Sequence, residues 1–101
     1  MNIGGRIKEI RKQSGVKIID LAEKAGIARV YLSDIERGKH TPSLKTLEAI
    51  CVALNVSLSA FFAEEGQDLA PEFRKMVDTA KKLTPEQREV LQRLMDTTNV
   101  N

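Results

Sequence analysis

The chain has 101 residues, of which 42% are hydrophobic, 30% charged and 4% aromatic. This length allows one domain, or one domain with an appendage, and the composition suits a core of aliphatic side chains. A single cysteine excludes a disulfide framework and a cysteine-based metal site, and it fits a reducing, cytoplasmic setting. We expect neither a signal peptide nor a membrane span, because the amino terminus is charged and no apolar run approaches the ~20 residues of a span.

The charge is uneven along the chain, although the formal net charge is only +2. Residues 1–63 carry ten Lys and Arg against six Asp and Glu, whereas residues 64–101 carry six against eight. The basic part of the chain is therefore the part that suits a polyanionic partner. The excess is too modest to indicate a nucleic-acid partner without a structural motif.

A first helix is predicted for residues 3–14. Ile3, Ile7 and Ile10 recur at helical spacing and give this helix one apolar face. Gly15 ends it, and basic side chains line much of its remaining surface.

Two short helices joined by a tight turn are predicted next, at residues 18–25 and 29–37. Each has apolar residues at helical spacing; Gly26 and Gly38 end them, and Ile27 fills the turn. Helices this short are not stable alone in water. Joined through a glycine-containing turn, they match the helix-turn-helix, whose second helix enters a DNA major groove. The outward positions of this second helix are Arg29, Val30, Ser33, Asp34 and Arg37.

Two more helices complete an amino-terminal domain that we assign to residues 1–66. Ser43 is expected to cap a helix over residues 44–54, directly after a proline that ends the preceding segment. A last helix over residues 58–65 carries two phenylalanines for the core or a dimer contact. The predicted fold class is all-α, with five helices in this domain.

Residues 67–101 are predicted to form a hairpin of two amphipathic helices, at residues 71–83 and 85–96. Thr84 and Gln87 occupy the positions of a capping box at the start of the second helix. Two helices of this size cannot bury their apolar stripes against each other alone, so they pack on a second copy or fold back on the first domain. We favour a homodimer, because dimers match two DNA half-sites. The residues assigned to dimerisation are Phe73, Met76, Val77, Ala80, Leu83, Val90, Leu91, Leu94 and Met95.

Four segments, LAEKAGI, YLSDIERGK, PSLKTL and ALNVSLSAFF, occur in this order between the second and fifth predicted helices. In sequence and spacing they resemble the phage repressor and Cro-type (Xre-like) helix-turn-helix family, over roughly residues 3–63. The resemblance implies a five-helix repressor-like fold and a double-stranded DNA-binding transcriptional regulator, most often a repressor that binds a palindromic operator as a dimer. It also implies that Arg11 and Glu36 form a structural ion pair between the first and third helices.

The sequence departs from the family's pattern at the starts of two helices. Lys17, Ile18 and Ile19 replace the usual Thr-Gln-Glu, so Lys17 offers charge to a DNA phosphate but cannot cap the second helix. Ala28 replaces a capping serine before the third helix, at a cost of ~1 kcal/mol. The uncapped N–H groups there would attract a phosphate oxygen.

Base contacts are predicted for four outward residues of the third helix. Arg29 can donate two hydrogen bonds to guanine O6 and N7, or contact phosphate alone. Val30 can contact the thymine methyl group, or pack against the second helix. Ser33 lies one turn further along with Asp34, which can accept from cytosine N4 or pair with Arg37 and meet no base.

Phosphate contacts are predicted for a group around these residues. Arg37 and Lys39 flank the glycine that ends the third helix, and Ser43 opens the fourth with free N–H groups. Tyr31 reaches the DNA backbone or edges the core, and His40 contacts phosphate or is a solvated loop residue. The complete set is Lys17, Ala28, Tyr31, Arg37, Lys39, His40 and Ser43.

The sequence does not indicate an enzyme, because it shows no paired nucleophile and base, no glycine-rich phosphate loop and no cluster of metal-ligand residues. No cofactor and no metal are therefore expected, and Cys51 is interpreted as a small core residue. Two alternatives to a DNA-binding repressor stay open. One is an antitoxin or restriction-modification controller whose carboxy-terminal hairpin holds a protein partner. The other is a protein-interaction module that does not bind DNA.

Overall fold

The computed structural model describes residues 2–62 and 84–98. Within these two ranges the chain forms helices and no strands, which confirms the all-α prediction. The helices are α1 (Ile3–Gln13), α2 (Ile18–Ala25), α3 (Arg29–Glu36), α4 (Leu44–Leu54), α5 (Leu58–Phe62) and α6 (Pro85–Thr98). The helix predicted for residues 71–83 lies outside the described residues. None of the helices just named is long and apolar enough to cross a membrane.

Local side chains define several helix ends. The Ser43 hydroxyl caps α4 by accepting from the Thr46 N–H at 3.1 Å, as predicted. The predicted capping box at α6 is also present, because Gln87 N–H donates to the Thr84 hydroxyl at 3.1 Å and the Thr84 N–H donates to the Gln87 side chain at 3.0 Å. Gly26 ends α2 with φ +72°, a left-handed conformation that glycine adopts without steric cost.

The core lies where α1, α2, α3 and α4 converge, and its side chains are mostly Ile and Leu. Helix α1 crosses α3 so closely that a Cβ atom built on Gly4 would lie 1.9 Å from the Ile35 carbonyl oxygen. Only a residue without a side chain fits this crossing. The buried hydrophobic residues of the described ranges are Ile3, Ile7, Ile10, Leu21, Ala22, Leu32, Ile35, Leu44, Leu47, Ile50, Cys51, Leu54, Phe61, Phe62, Leu91 and Met95.

Arg6 fastens α5 to α1. Its Nε donates to the Phe61 carbonyl at 2.8 Å and its Nη2 to the Ala60 carbonyl at 3.2 Å. Both carbonyls lie in the last turn of α5, where a side-chain donor can satisfy helix carbonyl groups. One guanidinium therefore holds the closing helix of the amino-terminal domain in place, with Phe61 and Phe62 both buried.

Helix α6 packs on α4 within the same chain. Leu91 and Met95 are fully buried in the common core, and Arg88 forms an ion pair with Glu48 of α4 at 2.5 Å. The pKa of the Arg88 guanidinium is raised above its ordinary value, mainly because the guanidinium donates a hydrogen bond to the Glu48 carboxylate. In its described part, the hairpin thus folds back on the first domain.

This arrangement corrects the dimerisation prediction for Leu91 and Met95. Both are 0% exposed in the single chain, so neither presents a surface to a second copy. Leu94 is partly buried against the same core, whereas Val90 is 38% exposed. The other five residues assigned to the dimer, Phe73, Met76, Val77, Ala80 and Leu83, lie outside the described residues, and their role stays a prediction.

Candidate nucleic-acid interface

Helices α2 and α3 form the predicted helix-turn-helix. The turn runs from Gly26 to Ala28, and Ile27 packs partly buried against the core, as its apolar side chain predicts. Leu32 and Ile35 on α3 are fully buried. Because these two side chains point into the core, the rotation of α3 about its own axis is fixed, and so is the set of side chains that it presents outward.

The start of α3 is its most open part. Arg29 is exposed, and Val30 is 64% exposed although it is a large apolar residue. Ser33 and Asp34, one turn later, are half-buried. The predicted outward direction of Arg29 and Val30 is confirmed, while their contacts with bases stay predictions.

Asp34 forms the intrahelical pair that was one of its two predicted alternatives. Its Oδ1 accepts from Arg37 Nη2 at 2.8 Å, and its Oδ2 lies 3.9 Å from His40 Nε2. The His40 ring also lies near the Tyr31 ring, with a centroid separation of 6.0 Å. In the protein without DNA, Asp34 therefore orients basic groups at the end of α3, and a contact with cytosine would have to share or replace these bonds.

The starts of α2 and α3 have no side-chain caps. Lys17 and Ala28 occupy the capping positions in extended backbone conformations, and neither provides a hydrogen bond to the first turn. Both residues are exposed. The first N–H groups of each helix are thus available to an external acceptor, which at a helix start is well suited to be a phosphate oxygen.

The loop between α3 and α4 is basic and open. Lys39 and His40 are exposed, as is Arg37 just before them. Ser43 is exposed as well, but its hydroxyl donates to the Thr46 hydroxyl at 2.9 Å and accepts the Thr46 N–H. The prediction of free N–H groups at the start of α4 is therefore wrong for Leu44 and Thr46, whose N–H groups are both bonded within the chain. The residues predicted to contact DNA phosphates therefore lie at the surface, except for Tyr31, which is half-buried against the core.

The ion pair implied by the family resemblance is present. Arg11 donates from Nε to Glu36 Oε2 at 2.8 Å and from Nη2 to Glu36 Oε1 at 3.0 Å, while its Nη1 donates to the Val16 carbonyl at 3.0 Å. The side chains of Arg11 and Glu36 are only 12% and 4% exposed. This forked pair joins α1 to the end of α3, so it has the structural role that the family resemblance implies.

Gln92 is a residue of interest that the sequence did not reveal. Its Oε1 accepts from the Leu44 N–H at the start of α4, and its Nε2 donates to the Pro42 carbonyl at 3.2 Å. The two partners lie 48 and 50 residues away in sequence, so no local pattern signals the contacts. Among the described residues there is no group of three His, Cys, Asp or Glu side chains that could hold a metal ion.

Known proteins resemble this chain both in sequence and in structure. The sequence pattern of the helix-turn-helix family matches residues 7–61. The chain is 51% identical over 65 residues to the immunity repressor protein of Bacillus phage phi105, covering 64% of this chain and 45% of the repressor. It is 42% identical over 84 residues to the transcriptional regulator SinR of Bacillus subtilis, covering 77% and 76% of the two chains.

A solved complex of the SinR protein with the SinI protein contains a chain of similar fold. The superposition has a TM-score of 0.58 at 37% identity and covers 97% of this chain and 99% of that chain. The present chain spans less than half of the phage immunity repressor but three quarters of SinR. With its helix-turn-helix geometry and these relatives, the chain belongs to the phage repressor and Cro-type (Xre-like) family of DNA-binding helix-turn-helix transcriptional regulators.

Proposed function

We propose that this protein is a non-enzymatic repressor that binds a palindromic operator as a dimer. One copy of α3 from each subunit would enter successive major grooves, about 34 Å apart along the duplex. The observation that carries the proposal is the division of α3 between a fixed inner side, Leu32 and Ile35, and an exposed outer side that begins with Arg29 and Val30. The printed names of two relatives, an immunity repressor and a transcriptional regulator, support the same function.

Arg29 is the residue we propose for direct base readout. It is the first residue of α3, it is exposed, and its guanidinium matches the paired acceptors O6 and N7 of guanine. Val30 lies beside it with an exposed apolar surface suited to a thymine methyl group. The first turn of α3 would therefore determine much of the sequence preference.

The phosphate contacts would come from two kinds of group. The uncapped starts of α2 and α3, behind Lys17 and Ala28, would donate N–H groups, and the exposed side chains of Arg37 and Lys39 would supply positive charge. Each phosphate that is neutralised releases counterions. The logarithm of the binding constant should then fall linearly with the logarithm of the salt concentration, with a slope of about −0.9 per contact.

The test combines operator selection with one substitution. Binding sites selected from a random DNA pool would give the operator, and the affinity of Arg29→Ala would then be measured on operator and on random DNA by fluorescence anisotropy. We expect a loss of ~1–3 kcal/mol on the operator and little loss on random DNA. Lys8→Ala, which removes one exposed positive charge from α1, is the matched control and should leave the preference for the operator unchanged.

Two results would contradict this assignment. Equal losses for Arg29→Ala on both DNAs would reduce Arg29 to a phosphate contact. Failure of the unmodified protein to bind any selected or random duplex at low salt would refute the repressor function itself. The spacing of half-sites in the selected sequences tests the dimer independently, because two copies of α3 require repeats separated by one helical turn or a multiple of it.

A second proposal is that a partner protein binds to the carboxy-terminal region, as an antitoxin or restriction-modification controller would require. It is favoured by the similarity of nearly the whole chain to a SinR chain that was solved together with the SinI protein. Copurification from the native host followed by mass spectrometry would test it. A stoichiometric second protein that is lost when residues 67–101 are deleted supports the proposal, and a pure homo-oligomer opposes it.

A further inference from the structure

Gln92 forms a bridge from the carboxy-terminal helix to the start of α4. Its amide oxygen accepts the Leu44 N–H, and its amide nitrogen donates to the Pro42 carbonyl and, at the same distance of 3.2 Å, to Asp96 Oδ1. The two backbone groups flank Ser43 on either side. A single side chain therefore fixes the backbone at the point where the α3–α4 loop becomes a helix.

The position of Gln92 is itself well defined. Leu91, the preceding residue, and Met95, three residues later, are both fully buried in the core. One turn earlier, Arg88 donates twice to the Glu48 carboxylate of α4, with Nη2 to Oε1 at 2.5 Å and Nη1 to Oε2 at 3.3 Å. The amide of Gln92 is thus held against α4 by apolar and ionic contacts on its own helix, so it acts as a fixed support.

The bridged segment borders the predicted phosphate contacts. Lys39, His40 and Ser43 lie within the six residues that precede Leu44, and all three are exposed. The Leu44 N–H is already occupied by Gln92 and lies in a partly buried position. The Leu44 N–H is therefore satisfied within the chain, and the exposed groups of the loop remain available to the phosphates.

We propose that Gln92 is a positioning residue for DNA binding, which acts through Pro42 and Leu44 to hold the phosphate-facing α3–α4 loop in its binding conformation. This inference rests on the proposed DNA-binding function. A loop that is ordered before association loses less conformational freedom when DNA binds, and the affinity rises accordingly. Without the bridge, the loop would have to become ordered when DNA binds, and the free-energy cost of that ordering would weaken binding.

The variant that tests the proposal is Gln92→Met. Methionine has a similar length and helix propensity but can form none of the three amide hydrogen bonds, to Leu44, Pro42 and Asp96. We expect about three- to tenfold weaker binding to both operator and random DNA, because phosphate contacts carry no sequence information. Gln13→Met is the matched control, because Gln13 is an exposed glutamine at the end of α1. The DNA affinity of this variant should equal that of the unmodified protein.

Three readouts separate positioning from a loss of stability. Circular dichroism establishes that Gln92→Met is folded at the assay temperature. Titration at several salt concentrations should show the same slope as in the unmodified protein, because the loop makes the same phosphate contacts once it is bound; a shallower slope would mean that the substitution removes contacts. The amide hydrogen of Leu44 should be protected from exchange in the unmodified protein and should exchange faster in the variant. The last measurement on the unmodified protein does not depend on whether the variant folds.

Several outcomes would overturn the inference. Unchanged affinity of a folded Gln92→Met would show that the bridge does not support the loop. Tighter binding would show that Gln92 competes with DNA for the start of α4, and an unprotected Leu44 amide in the unmodified protein would show that the bridge is absent in solution. If the unmodified protein binds no DNA, the proposed function fails together with this inference. If the unmodified protein and Gln92→Met bind DNA equally well, only this inference fails.

Discussion

The ion pair between Arg11 and Glu36 allows a quantitative test of how α3 is held. The two side chains are 12% and 4% exposed and share two hydrogen bonds of 2.8 and 3.0 Å. Replacing Glu36 by Leu leaves the Arg11 guanidinium in a poorly hydrated site, where the Val16 carbonyl at 3.0 Å is its one remaining partner among residues 2–62 and 84–98. Loss of one member of such a buried pair costs about 3–5 kcal/mol, which is a large fraction of the 5–15 kcal/mol that stabilises a typical domain.

The double variant Arg11→Met/Glu36→Leu should be less destabilised than the single variants predict. Apolar replacement of both partners removes both desolvated charges, and the main remaining loss is the donor to the Val16 carbonyl, about 1 kcal/mol. The single losses then sum to about 6–10 kcal/mol against about 1 kcal/mol for the double variant, so the double-mutant cycle should give a coupling free energy of about 5 kcal/mol or more. Urea denaturation of the four proteins, followed by circular dichroism, measures each free energy of unfolding.

Additive losses in the cycle would refute this reasoning, because they would show that the two side chains act independently. DNA binding supplies a second check. At a temperature where Arg11→Met stays folded, its operator affinity should be close to that of the unmodified protein. A tenfold or greater loss there would mean that Arg11 contacts DNA directly and that its role is not structural.

Three further predictions concern other positions. Gly4→Ala should lower the free energy of unfolding by about 2 kcal/mol, because the new Cβ would lie 1.9 Å from the Ile35 carbonyl oxygen. Gly5→Ala is the control, because its Cβ would meet only the flexible side chain of Asn2, at 3.2 Å. Its free energy of unfolding should rise by up to about 1 kcal/mol, because alanine has the higher helix propensity. Urea denaturation compares the two, and equal effects would contradict the close crossing. Burial, and secondarily a nearby carboxylate, raises the pKa of the Cys51 thiol from 9.0 to about 12. The folded state therefore keeps a proton that the unfolded state loses, and the stability measured against Cys51→Ala should fall as the pH rises from 9 towards 12; a flat difference would contradict this. Ala28→Ser should supply the missing cap of α3 and raise the free energy of unfolding by ~1 kcal/mol in thermal denaturation, and no gain would show that the helix start is already satisfied.

The sequence predicted the amino-terminal helices well because local signals mark their ends. Ser43 caps α4 with its hydroxyl, and Gly26 and Asn55 both adopt left-handed conformations after helices, as a glycine and an asparagine in those places indicate. Isoleucines three and four residues apart defined the buried face of α1. These signals operate within one or two turns of the chain, so a single sequence is sufficient to locate them.

The packing of the carboxy-terminal helix was not predictable in the same way. An apolar stripe such as Leu91 and Met95 shows that a helix must be covered, but it does not show by what. The cover proved to be α4 of the same chain, and the decisive contacts, Arg88 with Glu48 and Gln92 with Leu44, join residues 40 and 48 positions apart. Charge and amide side chains at such separations have no periodicity from which their pairing can be inferred.

The arrangement of α3 separates the residues that stabilise the protein from those that would read DNA. Ile35 meets α1 at the Gly4 crossing, and Glu36 is held by Arg11, so the helix is fixed from its carboxy-terminal half. Arg29 and Val30 lie at the opposite end of α3, where their side chains are exposed and are not part of the core. Substitutions there should change the free energy of unfolding by no more than about 0.5 kcal/mol while they alter the preferred DNA sequence. With the base readout proposed for these two positions, operator specificity would change there without loss of the fold, because the contacts that orient α3 lie at its other end.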